Sequence, residues 1–266
     1  MKGQERWAAL GWILLGSPLI ALVAISAIAL LFSTTPQVLW AQLHQEGTRE
    51  AIAVSLKTTA VALVAVGLFG TFFALAIHRA APWLSSTLEV IATIPAIMPP
   101  SVAGLALLLA FGRQGVFGPW LEGMGISIAF TPIAVVMAQV FVSTPFFVRE
   151  ASNAFKSIDP DLVSAARLDG ASSWQAAKCV TIPLSAPFLA TGLILAWARA
   201  LGEFGATILF AGNLRGFTQT MPLAIYLGFE SDLGEAKALA VLLLVIAVLV
   251  LFIVRITLGR KMTFAH

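Results

Sequence analysis

The chain has 266 residues, of which 59% are hydrophobic and 11% charged, with a net charge of +3. A soluble chain of this size carries about a quarter charged residues, so the composition excludes an ordinary globular domain and points to an all-α polytopic membrane protein. The small net charge gives no argument for a nucleic-acid partner, and the single cysteine, Cys179, excludes an intrachain disulfide.

A spanning helix needs about 20 apolar residues. Runs over 10–32, 51–77, 89–111, 131–148, 184–211 and 235–257 meet or approach that length, which predicts six transmembrane helices. No repeat, low-complexity tract or soluble domain interrupts them, so residues 1–266 read as one transmembrane domain with its core over about 51–257.

Lys2 and Arg6 precede the first run. That run is longer than the roughly 7–15 apolar residues of a signal peptide core, so it reads as a retained first span. In the connection 33–50, Thr35-Pro36 opens a helix whose Val38, Leu39, Trp40 and Leu43 suit a membrane interface. His44 has no Cys or His cluster near it in sequence, which argues for a solvent-facing ring rather than a metal ligand.

The second span carries Lys57 near its start and ends at His78-Arg79. Lys57 either snorkels its ammonium to the surface or offers a cation to an anion at the outer mouth. Residues 80–87 are a short inner loop. The third span begins at Glu89 and is interrupted by Pro95, Pro99 and Pro100, each of which removes a backbone donor. Non-helical backbone at membrane depth is tolerated only inside protein or along a wet cavity. The break is therefore either a packing kink or part of a permeation path. Residues 112–130 are rich in glycine and form an outer loop.

The fourth span descends to Arg149 and enters the least apolar long interior stretch, residues 149–183, which carries Arg149, Lys156, Arg167 and Lys178. Asp159 before Pro160 predicts an N-cap followed by proline at the first helical position. Gly170 predicts a left-handed stop. Ser173 is the expected cap of a second short helix over 174–180, and Pro183 sits at the next helix start. Two short helices meeting at a glycine are thus expected at the membrane surface.

The fifth span contains Arg199 and Glu203, four residues apart and so on one face of a continuous helix. Intramembrane charges usually face a bundle interior and pair. This pair either locks two helices together or forms part of a gate. Gly202 and Gly205 flank Glu203 and allow close helix approach. Glu235 and Lys237 lie near the outer end of the last span, and Arg255, Arg260 and Lys261 near its inner end.

Charge sets the orientation. With the N-terminus inside, the inner face collects Lys2, Arg6, Arg79, Arg149, Lys156, Arg167, Lys178, Arg255, Arg260 and Lys261. The outer face receives Arg49, Arg113, Arg215 and Lys237. This asymmetry obeys the positive-inside rule, so both termini and the 149–183 loop are expected in the cytoplasm.

Within that loop, Ala165-Ala166, three residues, Gly170, nine residues and Val180-x-Ile182-Pro183 resemble the EAA loop of ABC importer permeases. Ser164 stands where the family has glutamate, and Asp161 or Asp169 offers a nearby carboxylate. A second resemblance covers most of the chain. The run Ala198 to Thr207, then Phe210-Ala211-Gly212-Asn213 and the run Thr218 to Tyr226, are similar to molybdate permease subunits. So are Ser55-Leu56-Lys57, Pro99-Pro100 and Gly112-Arg113-Gln114-Gly115. Related sulfate, thiosulfate and tungstate permeases vary at these positions.

The resemblance implies a type I ABC importer permease in a prokaryotic inner membrane. It implies a homodimer in lipid, two ATP-binding cassette ATPases and an extracytoplasmic oxyanion-binding protein. It assigns ATPase coupling to Asp161, Ser164, Ala165, Ala166, Gly170 and Pro183. By their own chemistry, set out above, Lys57, Pro95, Pro99, Pro100, Arg199 and Glu203 are the candidates for the translocation path or gate. No cofactor is expected on this chain; ATP and Mg2+ would sit on the partner ATPases. The sequence has no Gly-x4-Gly-Lys-Ser/Thr phosphate loop, no His-Glu-x-x-His and no Gly-x-Ser-x-Gly, and so no catalytic residue is expected. A secondary anion transporter would need charged groups for ion coupling within the spans, where Glu203 is the candidate. A membrane-embedded enzyme would need a cluster of catalytic side chains in some span.

Overall fold

Helices in lipid gain little from apolar contact with each other, because the acyl chains are as apolar as leucine; close packing of small residues has to hold them together. A computed structural model, describing the backbone of residues 2–262 and the side chains of residues 12–252, shows this packing. Among the described residues the helices are α1 (Lys2–Leu31), α2 (Pro36–Leu43), α3 (Glu46–Arg79), α4 (Pro82–Ile97), α5 (Pro100–Phe111), α6 (Gly118–Gly123) and α7 (Pro132–Lys156). There follow α8 (Pro160–Leu168), α9 (Ser173–Ala176), a π turn (Ala177–Thr181), α10 (Ile182–Leu201), α11 (Gly205–Ala211), α12 (Met221–Ser231) and α13 (Leu233–Met262).

The buried face of α3 includes Thr48, Ala51, Ser55, Thr59, Ala62, Val66, Gly70, Ala74 and Ile77. These fall at steps of three and four, the spacing of a helix seam. At Gly70 a β-carbon would stand 2.6 Å from the ring of Phe147 on α7, so only glycine lets the two helices meet there. Phe147 and Phe155 of α7 fill the centre, with Val66, Ile77 and Ala196 around them. A second cluster joins α5, α7 and α11 through Leu107, Val135, Ala206 and Phe210. A third joins α3, α12 and α13 through Ala51, Met221 and Leu239. Trp40, Trp83 and Trp120 project outward from helix starts and short surface helices, where an amphipathic ring suits the lipid headgroups.

Among the described residues five helices are long and apolar enough to cross a membrane, and α4 and α5, bent by 113° at their junction, bring the candidate spans to six when taken as one. The interruption expected in the third span is therefore present. It lies at Met98 and Pro99, between α4 and α5, while Pro95 stays inside α4. Thr35 caps α2 as expected, and the glycine-rich outer loop contains the short helix α6.

The fifth span departs from expectation. It begins well before residue 184, because α9 runs through the π turn into α10 and the continuous apolar helix is Ser173–Leu201. It also stops at Leu201, and α11 is a separate short helix. The physical reason is packing. A β-carbon at Gly205 would stand 2.5 Å from that of Pro100, and one at Gly104 2.7 Å from the carbonyl of Ala206. The chain turns so that α11 can seat against the elbow of the bent span. The side chains of Lys2, Arg6, Arg255, Arg260 and Lys261, which entered the charge count, lie outside the described residues.

Candidate functional site

Two regions bear on function, one at each end of the Ser173–Leu201 helix.

The first is the loop between α7 and α9. The Asp159 carboxylate accepts the Asp161 N–H at 2.9 Å, and Pro160 opens α8, as the sequence leads one to expect. The end of α8 is a Schellman closure: Ala171 N–H reaches the Ala166 carbonyl and Gly170 N–H that of Arg167. This geometry needs the left-handed φ of +91° at Gly170, which a side chain rarely tolerates.

The cap of the second short helix is Ser172, not Ser173. Ser172 and Gln175 form a reciprocal capping box, and the signal Ser-x-x-Gln was present in the sequence. Ser173 is engaged elsewhere: its hydroxyl accepts from Arg167 at 2.8 Å and its carbonyl from Arg79 at 2.7 Å. Trp174 stacks on Phe72 of α3 at a centroid distance of 6.1 Å. The loop is thereby fixed to the bundle on one side. On its other side Asp161, Ser164, Ala165 and Gly170 are exposed, and Leu168 is 89% exposed. Leu162 and Trp174 are exposed on the same loop as well. Ala166 is half-buried and lines, with Asp169, Gly170 and Gln175, a cleft of about 430 Å³ between α8 and the helix after it. Pro183 lies outside this cluster, exposed at the start of α10.

The second region is the elbow. Arg199 and Glu203 pair at 2.6 Å, although they do not share one continuous helix. Gly202 caps α10 between them. Glu203 is 1% exposed. Its other oxygen accepts the Ala206 N–H at 2.8 Å, satisfying a donor at the start of α11. One carboxylate thus ties the end of α10 to the beginning of α11. Pro100 lies against Gly205 in the same place. Arg199, Glu203, Pro99 and Pro100 are therefore gathered by the two breaks.

Lys57 and Pro95 are placed differently. Lys57 is exposed on α3 and makes no ion pair among the described residues. Pro95 lines an apolar groove with Phe69, Phe73, Leu107 and Phe141.

Sequence reasoning missed a set of buried polar residues on several elements. Thr218, Gln219 and Thr220 are buried ahead of α12, and Gln139 and Thr207 are buried on α7 and α11. The Met221 N–H donates to the Ser55 hydroxyl at 2.7 Å, and the Thr218 hydroxyl accepts from Leu214 N–H at 3.0 Å. Gln139 Oε1, Thr207 Oγ1, Asn213 Oδ1 and Thr220 Oγ1 have no hydrogen-bond partner among the described residues. Single polar residues inside apolar runs carry no periodic signal, so nothing in the sequence grouped them.

A bundle of apolar helices, a capped surface loop fixed to it, a bent helix pair and a buried ion pair where α10 passes into α11 make up the fold of a type I ABC importer permease. The chain belongs to the family of inner membrane components of binding-protein-dependent transport systems, whose model matches residues 67–262.

Among its relatives is the probable transport system permease protein NifC of Clostridium pasteurianum, 37% identical over 96% of this chain and 92% of that protein. The molybdenum transport system permease protein ModB of Mycobacterium tuberculosis is 41% identical, over 87% of this chain and 88% of that protein. The sulfate transport system permease protein CysT of Escherichia coli is 33% identical, over 91% and 88%. Among solved structures, a bacterial ABC transporter that imports the acidic polysaccharide alginate matches with a TM-score of 0.76 at 18% identity, covering 97% of this chain and 98% of that one. That likeness shows the shared fold.

Proposed function

We propose that this chain is the permease subunit of an ATP-driven importer of a tetrahedral oxyanion, with molybdate as the cargo. It works as a homodimer in the prokaryotic inner membrane, with both termini cytoplasmic. Two ATPase subunits, holding ATP and Mg2+, dock on the α8–α9 loop, and an extracytoplasmic binding protein delivers the anion. The observation that carries the coupling role is the loop itself: a rigidly capped turn at Gly170, tied to α3 behind and open at Leu168 in front. The relatives named for molybdenum transport, at 37–41% identity, support the choice of cargo.

The geometry suggests how movement travels. From Ser173 to Leu201 the chain is one helix of 29 residues, about 43 Å long at 1.5 Å per residue. Its lower end lies in the docking loop and its upper end at the Arg199–Glu203 pair. Closure of the ATPases would shift the loop, and the helix would carry that shift to the elbow where α5 and α11 meet. High affinity belongs to the binding protein, since a deep well along the path would trap the ion.

The test is uptake of labelled molybdate into proteoliposomes holding this chain and its co-purifying ATPase, with binding protein outside and ATP inside. ATP-dependent uptake that resists sulfate is expected. Uptake blocked by equimolar sulfate would move the cargo to sulfate, the reading favoured by the 33% identity to a sulfate permease. Tungstate serves as a further competitor. Uptake independent of ATP, or no ATPase partner, would overturn the coupling role and return the chain to secondary transport.

A further inference from the structure

A cleft of about 280 Å³ opens where α4 crosses the last turns of α7, at the end of the bundle that carries the docking loop. Glu89 and Thr93 of α4 form one wall, and Arg149, Ser152, Asn153 and Lys156 of α7 the other. The α7 residues recur at steps of three and four, so the helix presents them on a single face.

Three observations bear on what this cleft could hold. The Ser152 residue is 5% exposed and its hydroxyl has no hydrogen-bond partner. Elsewhere on α7 the hydroxyls of Ser143 and Thr144 turn back onto the carbonyls of Gln139 and Val140; Ser152 does not, and its hydroxyl, buried on a residue that lines the cleft, keeps its donor unused. Arg149 has no carboxylate partner among the described residues. Lys156 does have one, Glu89 Oε1 at 2.5 Å, with both side chains about half exposed. That carboxylate occupies the lysine as an oxygen of an anion would.

We propose that this cleft binds a tetrahedral dianion, the cargo oxyanion on its way into the cytoplasm. The inference rests on the oxyanion reading above. Arg149 supplies a planar fork for two oxygens, Lys156 a point charge for a third, and Ser152 and Asn153 hydrogen-bond donors. Glu89 competes for Lys156 and keeps the site weak, as an exit step requires. Lys156 is the last residue of α7, directly ahead of the docking loop. An anion that draws it from Glu89 therefore loosens the tie between α4 and that loop.

The experiment is equilibrium binding of labelled molybdate, and separately of labelled sulfate, to the purified full chain in a phosphate-free non-ionic detergent without binding protein. Weak saturable binding is expected. Glu89→Gln should tighten it by up to about tenfold, since a like charge beside the anion is removed and Lys156 is released. Arg149→Gln and Ser152→Ala should weaken it. A gain of affinity in Glu89→Gln cannot come from misfolding, so that variant keeps the test decisive. Absence of saturable binding in both wild type and Glu89→Gln, or equal binding in all variants, would overturn the proposal. So would occupancy only by phosphatidylglycerol, which would assign the cleft to a lipid phosphate. Normal molybdate uptake alongside absent binding would remove the cleft alone. Binding of sulfate but not molybdate, matched by sulfate uptake, would keep the cleft and change the cargo.

Discussion

Glu203 serves two partners with its two oxygens, Arg199 on one side and the Ala206 N–H on the other. Glu203→Ala leaves a buried donor and a cation unmatched and should lower stability by roughly 1–3 kcal/mol. The double variant with Arg199→Ala should recover part of that loss, because no charge is then left alone. Thermal unfolding in detergent reads both, and equal midpoints for all variants would show that the pair holds nothing. Arg199→Ala should also impair uptake; unchanged uptake and stability together would make the pair incidental. At this scale the pair was legible, because two opposite charges four apart in an apolar run have few other uses. The break between them was not. Gly202 has room around it, and the turn is set by Gly205 seating on Pro100, a contact between residues a hundred positions apart. Gly205→Ala should therefore depress uptake and cost about 1–3 kcal/mol from overpacking. Gly202→Ala, whose β-carbon would meet only the Ala198 carbonyl at 3.6 Å, should be mild by the same two measurements.

Among the elements, the docking loop separates stability from contact. Leu168 is 89% exposed, so Leu168→Ser should leave unfolding unchanged within about 0.5 kcal/mol while co-purification of the ATPase is lost. Gly170→Trp meets open space within the chain but must hold a left-handed backbone, a strain of about 1–2 kcal/mol. It should detach or uncouple the ATPase without unfolding the bundle. An intact complex with normal uptake in both variants would end the coupling assignment. Much of this loop was legible because its punctuation is local: Asp159-Pro160 starts a helix and Gly170 ends one. The cap at Ser172 was misplaced by one residue. Two adjacent serines look alike until Gln175 claims the first and Arg167 and Arg79 the second.

At the scale of the molecule, six crossings follow from composition, since lipid leaves a backbone few alternatives to a helix. Their exact ends do not. Hydropathy registers how apolar a run is and not where the chain changes direction, which is why residues 205–211 were joined to the fifth span. The buried polar atoms of Gln139, Thr207, Asn213 and Thr220 are illegible for a related reason: those residues stand singly in separate segments and are buried only by packing.

The π turn at Ala177–Thr181 sits between the α8–α9 loop and the crossing α10. It closes with the Ile182 N–H on the Ala177 carbonyl, a ring one residue wider than that of an α-helix. Such a turn absorbs one extra residue without rotating what lies on either side. Everywhere else along this rod, losing one residue turns the two ends relative to each other by about 100° and points the docking face away from its partner. The π turn is thus a phase joint. A homologue shorter by one residue here would keep its loop and its elbow in the same angular relation, and a one-residue deletion at Lys178 should preserve transport where one at Leu189 abolishes it.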